Sequence, residues 1–269
     1  MSQQENVRNA IPSNGRTSSE TTLSDILEEF DRWALFLDID GTLIDLAPTP
    51  DAVVVPAGLP VTLDAVSKKL GGALALVTGR ALPYADTLFS PKTFPIAGLH
   101  GAERRTFDGI VDRVTVTPAF EALKARLVAD TAGWSGVLIE DKGAAVGAHY
   151  RQAPERHAEL DAMMERAAAE IGDNFTLQRG KMVIEIRPAR ASKGEAVRAF
   201  LTETPFTGRL PVTIGDDLTD EAMFRTANSL GGISVRVGGP DLADGTTSQA
   251  SRFLTSADEL RNILAGLAR

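Results

Sequence analysis

Trp33-Ala34-Leu35-Phe36-Leu37-Asp38-Ile39-Asp40-Gly41-Thr42-Leu43 decides the fold class. Five apolar residues run without a break and end on an acid. A strand buried on both faces, as in a parallel sheet, reads as such a run. Two other stretches have the same form: Gly71-Gly72-Ala73-Leu74-Ala75-Leu76-Val77 before Thr78-Gly79-Arg80, and Leu210-Pro211-Val212-Thr213-Ile214 before Gly215-Asp216-Asp217. Helical patterns lie between them, around Val61–Leu70 and Lys193–Thr202. Strands alternating with helices predict an α/β fold on a Rossmann-like parallel sheet. Ligands of open sheets bind beyond the carboxyl ends of the strands, so the three polar clusters are expected to meet.

Working outward, residues 1–20 are rich in Ser, Asn, Gln and Gly and predict a disordered arm. Leu23, Ile26, Leu27 and Phe30 then follow helical spacing. From about Phe107 to Pro188 the pattern changes. Strands are expected over Gly136–Glu140, Ala144–Tyr150, Phe175–Arg179 and Met182–Arg187, with helices over Pro118–Asp130 and Pro154–Ile171. Turn signals at Asp141-Lys142-Gly143 and Arg179-Gly180-Lys181 predict antiparallel pairing. The expected division is a core of residues 21–107 and 190–269 and a smaller inserted α+β domain of residues 108–189. A strand over Ser229–Val237 and a helix over Ala257–Leu267 complete the core.

Composition narrows the function. The 269 residues carry 28 Lys and Arg against 36 Asp and Glu, a formal charge of −8. Nucleic acids and anionic membranes need a positive surface, so neither is an expected partner. The absence of cysteine excludes disulfides, thiolate-metal sites and a thiol nucleophile. No apolar run approaches the ~20 residues of a membrane helix, and Met1–Ala10 holds no secretion segment. A cytoplasmic protein, monomeric and without an obligate protein partner, is expected.

The chemistry is concentrated in the clusters. Asp38 and Asp40 stand at i and i+2, on one side of an extended chain, with Gly41 allowing a sharp turn after them. One carboxylate can attack phosphorus; the other can protonate the leaving oxygen and then activate water. Two acids so close call for a hard cation such as Mg²⁺. Taken alone, such a motif also fits a surface turn or a weak Ca²⁺ loop. Thr78 and Gly79 could hold a phosphoryl oxygen, and Lys193 could neutralise it. Asp216, Asp217, Asp220 and Glu221 would repel one another unless a cation or base sat among them. A helix start explains Asp220 and Glu221 equally well, but not Asp216 beside its buried strand.

These motifs, in this order, resemble the haloacid dehalogenase-like (HAD) phosphatase superfamily across about 33–107 and 190–269. The resemblance implies Asp38 as nucleophile, Asp40 as general acid and base, and Thr78, Gly79 and Lys193 as phosphate holders. It implies Mg²⁺ held by Asp38, Asp216 and the Asp40 carbonyl, with Asp217 and Asp220 in support. The insert's position resembles the C2-type cap. Finer features, Gly98-Leu99-His100-Gly101-Ala102-Glu103, Glu140-Asp141-Lys142, His149-Tyr150-Arg151 and Val183-Ile184-Glu185-Ile186-Arg187-Pro188, resemble the trehalose-6-phosphate phosphatase family. That likeness implies a substrate site of Arg80, His100, Gly101, Glu140, Lys142 and Glu185. It implies a small sugar phosphate as partner and hydrolysis of trehalose 6-phosphate through an aspartyl phosphate. The alternatives are a phosphatase of another sugar phosphate such as sucrose phosphate, a phospho-acceptor signalling domain, and a scaffold. Asp40 argues against signalling, since a slow switch needs no leaving-group acid.

Overall fold

The computed structural model describes residues 23, 29–47, 52–180, 182–189, 191–242 and 245–269. The expected arm, and the helix through Ile26 and Leu27, lie outside the described residues. Leu23 and Phe30 themselves pack on the core.

Two sheets organise the described chain. The large one has the order β12-β11-β10-β1-β2-β3-β4-β5. Its strands β1 (Trp33–Leu37), β2 (Leu74–Val77), β3 (Ile96–Gly98), β10 (Leu210–Gly215), β11 (Ile233–Val237) and β12 (Arg252–Leu254) are parallel. β4 (Glu103–Arg105) and β5 (Val111–Arg113) add antiparallel strands at one edge. Helices α1 (Leu59–Lys69), α2 (Leu82–Phe89), α5 (Lys193–Leu201), α6 (Glu221–Ser229) and α7 (Ala257–Leu267) belong with this sheet. Every residue of β1 and β2 is buried. The aromatic rings of Phe36, Phe200 and Phe206 meet within 6.1 Å and join β1 to α5.

β1 pairs with β10 on one side and β2 on the other. The carboxyl ends of these three neighbours therefore deliver Asp38, Thr78 and Asp216 to one edge of the sheet.

The second sheet is antiparallel, in the order β6 (Leu138–Asp141), β7 (Val146–His149), β9 (Val183–Pro188), β8 (Phe175–Gly180). Helices α3 (Pro118–Thr131) and α4 (His157–Ile171) cover one face through Phe120, Leu123, Leu160 and Met164 against Val146, Ala148, Ile184 and Ile186. Alternation along the strands sends Glu140, Gly147, His149 and Glu185 to the opposite face. Lys124, buried on α3, bonds the Asp141 carboxylate at 2.8 and 3.0 Å and the Gly143 carbonyl at 3.1 Å, pinning the β6–β7 turn that carries Lys142.

Several elements differ from expectation. The large sheet continues past residue 107, because the β4–β5 hairpin still pairs with β3. Three-residue strands such as β3, β4, β5 and β12 are too short to show a period in sequence. The strand expected from Ser229 begins at Ile233; Ser229 closes α6, and Gly231 turns the chain at φ 74°. The helix expected from Pro154 opens as a 3₁₀ turn over Pro154–Arg156. Among the described residues, no helix is long and apolar enough to cross a membrane.

Candidate active site

Asp38 ends β1 and is buried. Lys193 opens α5, whose amino end is capped by Ser192 accepting from the Glu195 N–H at 3.1 Å. Its Nζ donates to Asp38 Oδ1 at 2.6 Å and to Asp220 Oδ1 at 2.5 Å. Asp220 is fully engaged, since its Oδ2 also accepts the N–H groups of Asp216 and Asp217 at 2.9 Å each. Asp217 caps the 3₁₀ turn Leu218–Asp220. Asp217 and Asp220 thus shape the strand end that presents Asp216.

Thr42 completes this centre, a residue that sequence reasoning missed. Its hydroxyl lies 3.1 Å from Asp216 Oδ1 and 3.4 Å from Asp38 Oδ2. The sequence signal was its place inside the same strand-end motif. Gly41 turns at φ 79°, and a Cβ there would fall 2.1 Å from the Asp216 carboxylate, so the turn admits glycine alone.

The electrostatics are strained. Burial, then Asp220 and Asp216, push the Asp38 carboxyl well up, with Lys193 opposing. Burial and Asp220 push Asp216 up to about 7 against Lys193. The Lys193 ammonium is stabilised by Asp220 and Asp38 in spite of burial, which acts against it. Oxygens of Asp38, Asp216 and Asp220 lie within 4.8 Å of one another. An all-carboxylate set with raised proton affinity is what a hard divalent cation relieves. The residues fit such an ion, with Asp38 and Asp216 as holders, because both Asp220 oxygens are already taken.

Asp40 faces a different partner. Arg80 grips its carboxylate with Nε at 2.6 Å and Nη2 at 2.5 Å, and stacks over the Tyr84 ring at 4.5 Å. Thr78 is buried, and its hydroxyl accepts the Arg80 N–H at 3.1 Å, leaving its proton for another acceptor. The His100 ring packs over Gly79, where a Cβ would come within 2.7 Å of it. Burial, then Lys193, Arg187 and Lys142, hold His100 well below the usual histidine range, and its Nδ1 is buried without a partner among the described residues. Gly101 lies against the Ser192 carbonyl at the start of α5. Glu103, from the same loop, accepts the Leu82 N–H at 2.6 Å and serves the amino end of α2.

The open face of the smaller sheet gathers the remaining expected residues. Lys142 Nζ lies 2.8 Å from Glu185 and 3.8 Å from Glu140. His149, also missed as a site residue, lies 2.7 Å from Glu140. Its position on β7 opposite Leu138 follows from a register that sequence does not print. One Glu185 oxygen is buried without a partner among the described residues. The two groups sense each other: Arg80 acts on Glu140, and Lys142 and Arg187 act on His100.

A parallel sheet with paired acids at the end of its central strand, a lysine from a later helix and a capping α+β layer define a HAD-type phosphatase fold. A phosphatase of the HAD superfamily from Bacteroides thetaiotaomicron superposes with a TM-score of 0.61 at 17% identity, over 96% of this chain and 98% of that one. The C-terminal domain of Candida albicans trehalose-6-phosphate phosphatase gives a TM-score of 0.73 at 21% identity, over 92% and 97%. The family model described as trehalose-phosphatase matches residues 36–258. A probable trehalose-phosphate phosphatase of Sinorhizobium fredii is 63% identical over 249 residues, covering 93% of this chain and 92% of that protein. The chain belongs to the trehalose-phosphatase family, and it is a phosphoric monoester hydrolase.

Proposed function

We propose that the protein hydrolyses trehalose 6-phosphate to trehalose and phosphate, with Mg²⁺, through an aspartyl phosphate on Asp38. The observation that carries the mechanism is the buried Asp38 carboxylate, fixed by Lys193 where three neighbouring strands end. Asp38 attacks phosphorus as the bond to the sugar oxygen breaks, and Asp40 gives that oxygen its proton. Water then attacks phosphorus, Asp40 takes the water's proton, and the bond to Asp38 breaks, releasing phosphate. Arg80 orients Asp40 and must loosen its grip for Asp40 to carry the proton. Thr78, the Gly79 backbone and Lys193 hold the phosphoryl oxygens. Asp38 and Asp216, with the Asp40 carbonyl, would hold a divalent cation, which would supply positive charge against those oxygens. Positioning and charge neutralisation carry most of the rate in such transfers.

Residues 108–189 act as a C2-type cap on the core of 21–107 and 190–269. The open face of the cap brings Glu140, Lys142 and Glu185 to the sugar, and Arg80, His100 and Gly101 meet it from the core. Separate apolar clusters for the two sheets support this division, with the β4–β5 hairpin remaining in the core sheet. Phosphate release from trehalose 6-phosphate, sucrose 6-phosphate and glucose 6-phosphate, with and without Mg²⁺, tests the reading. Comparable turnover of glucose 6-phosphate and trehalose 6-phosphate would overturn the narrow substrate assignment.

Two expectations follow from the same geometry. Glu185→Ala or Lys142→Ala should lower kcat/KM for the disaccharide phosphate by about ten- to hundredfold, the worth of a hydrogen bond to a charged group. Hydrolysis of a small aryl phosphate should hardly change; an equal fall for both substrates would make these residues structural. The second concerns pH. A carboxyl raised by folding favours the fold while protonated, and that benefit is lost as pH rises through the raised value. For Asp216, from 3.8 to about 7, the metal-free protein should lose stability across that window. A cation needs the ionised carboxylates, so Mg²⁺ should raise Tm little at about pH 5 and clearly at about pH 8. Equal Mg²⁺ shifts at both would contradict it.

A further inference from the structure

Glu140, Gly147 and Glu185 form one row across three adjacent strands, since Glu140 pairs with Gly147 and Gly147 with Glu185. The two glutamate side chains share the face of the cap sheet opposite α3 and α4, and Glu185 is buried there. Strands lie about 4.8 Å apart, so the two glutamates stand about 10 Å apart with no side chain rising from the buried Gly147 between them. Glycine in the middle of a strand weakens it, and often marks a place where something approaches the backbone closely. Here Lys142 crosses that bare position to reach Glu185. A Cβ built on Gly147 would lie 3.5 Å from Lys142 Cε, 3.5 Å from His149 Nε2 and 3.7 Å from Val183 Cγ2. Those are ordinary contacts, so one methyl fits without displacement. A branched side chain would project further, into the lane between the glutamates.

We propose that Gly147 is a specificity-determining residue: it is the floor of the sugar subsite, covered in this structure by Lys142 and His149, and the sugar ring takes the place of Lys142 over it between Glu140 and Glu185. The inference rests on the sugar-phosphate reading above and deepens it. A hydroxylated ring bonded from both sides needs a flat floor and a gap of this width. Lys142, which spans the gap in the structure, moves aside to bond the sugar, and Glu185 exchanges its ammonium partner for sugar hydroxyls. Glu185 Oε1, buried and without a partner among the described residues, becomes a further acceptor once Lys142 moves aside.

The test compares Gly147→Ala and Gly147→Val with the wild-type protein on trehalose 6-phosphate, sucrose 6-phosphate, glucose 6-phosphate and a small aryl phosphate, all with Mg²⁺. Gly147→Val should raise KM or cut kcat/KM at least about tenfold for the preferred sugar phosphate, and leave aryl phosphate hydrolysis within about twofold. Its Tm should stay within a few degrees of the wild type, because the strand preference of a β-branched residue offsets the displacement of Lys142. Gly147→Ala should stay within about threefold on every substrate. A Val variant that retains sugar-phosphate turnover overturns the proposal, as does one that loses sugar and aryl substrates together or melts well below the wild type. A wild-type protein preferring another sugar phosphate defeats the trehalose reading alone, and the Gly147 comparison is then read on that substrate.

Discussion

Asp38→Asn should reduce phosphate release by about 10⁴-fold or more, on sugar and aryl phosphates alike. The amide keeps the shape of the carboxylate but lacks the nucleophilic oxygen, so no substrate escapes the loss. The fold should survive the change. Asp38 sits among Asp216 and Asp220, and that repulsion together with burial raises its proton affinity. Removing one negative charge from this cluster relieves repulsion while Lys193 keeps Asp220 as its partner. The melting temperature should therefore stay within a few degrees or rise in the absence of Mg²⁺. Phosphate release above about one hundredth of the wild-type rate, with correct folding, would contradict attack by Asp38. Rapid-quench labelling gives a second readout: wild-type protein should carry transient phosphate on Asp38, and the variant none.

Lys193→Met should be damaging in a different way, to stability as well as rate. Lys193 is buried between two buried carboxylates. Without it, Asp38 and Asp220 remain in the interior with no cation between them. Breaking a buried ion pair by removing one partner costs about 3–5 kcal/mol, because the other charge is left uncompensated. In a chain of this size that corresponds to a fall in Tm of about 10 °C. Methionine preserves most of the stem's packing, so the loss reports on charge rather than on a cavity. Turnover should fall with it, and Mg²⁺ should recover part of the stability by neutralising Asp38, without restoring the rate. A melting temperature equal to the wild type would show that the lysine does not hold the two carboxylates together. Arginine should rescue poorly, since its planar fork is wider than the point charge that bridges two oxygens here.

Much of this centre was legible before any coordinates. β1, β2 and β10 are buried on both faces, so they appear as mostly apolar runs, and each is followed by a polar or acidic residue. Asp38 and Asp216 stand out in sequence because each follows such a run directly, whereas Thr78 and Lys193 are weak signals alone and gain their roles only from the order of the motifs. The α3 and α4 helices and the β8–β9 hairpin were likewise visible, since helical period and turn residues are local properties. The short strands β4 and β5 at one end of the large sheet were not, because three residues carry no period.

Sequence by itself determined the layered α/β architecture, the inserted second layer and the identity of the strand-end acids, because all three are written in local hydrophobic pattern. Only the tertiary structure decided who bonds to whom. Arg80 could have paired with any exposed acid; stacking on Tyr84 and the closeness of β1 and β2 direct it to Asp40. Thr42 meets Asp216 across 174 residues, and His149 meets Glu140 through an antiparallel register. The lane over Gly147 exists only once β6, β7 and β9 are aligned. Ion pairs and register depend on distances between segments remote in the chain, and periodicity along one segment holds no record of them.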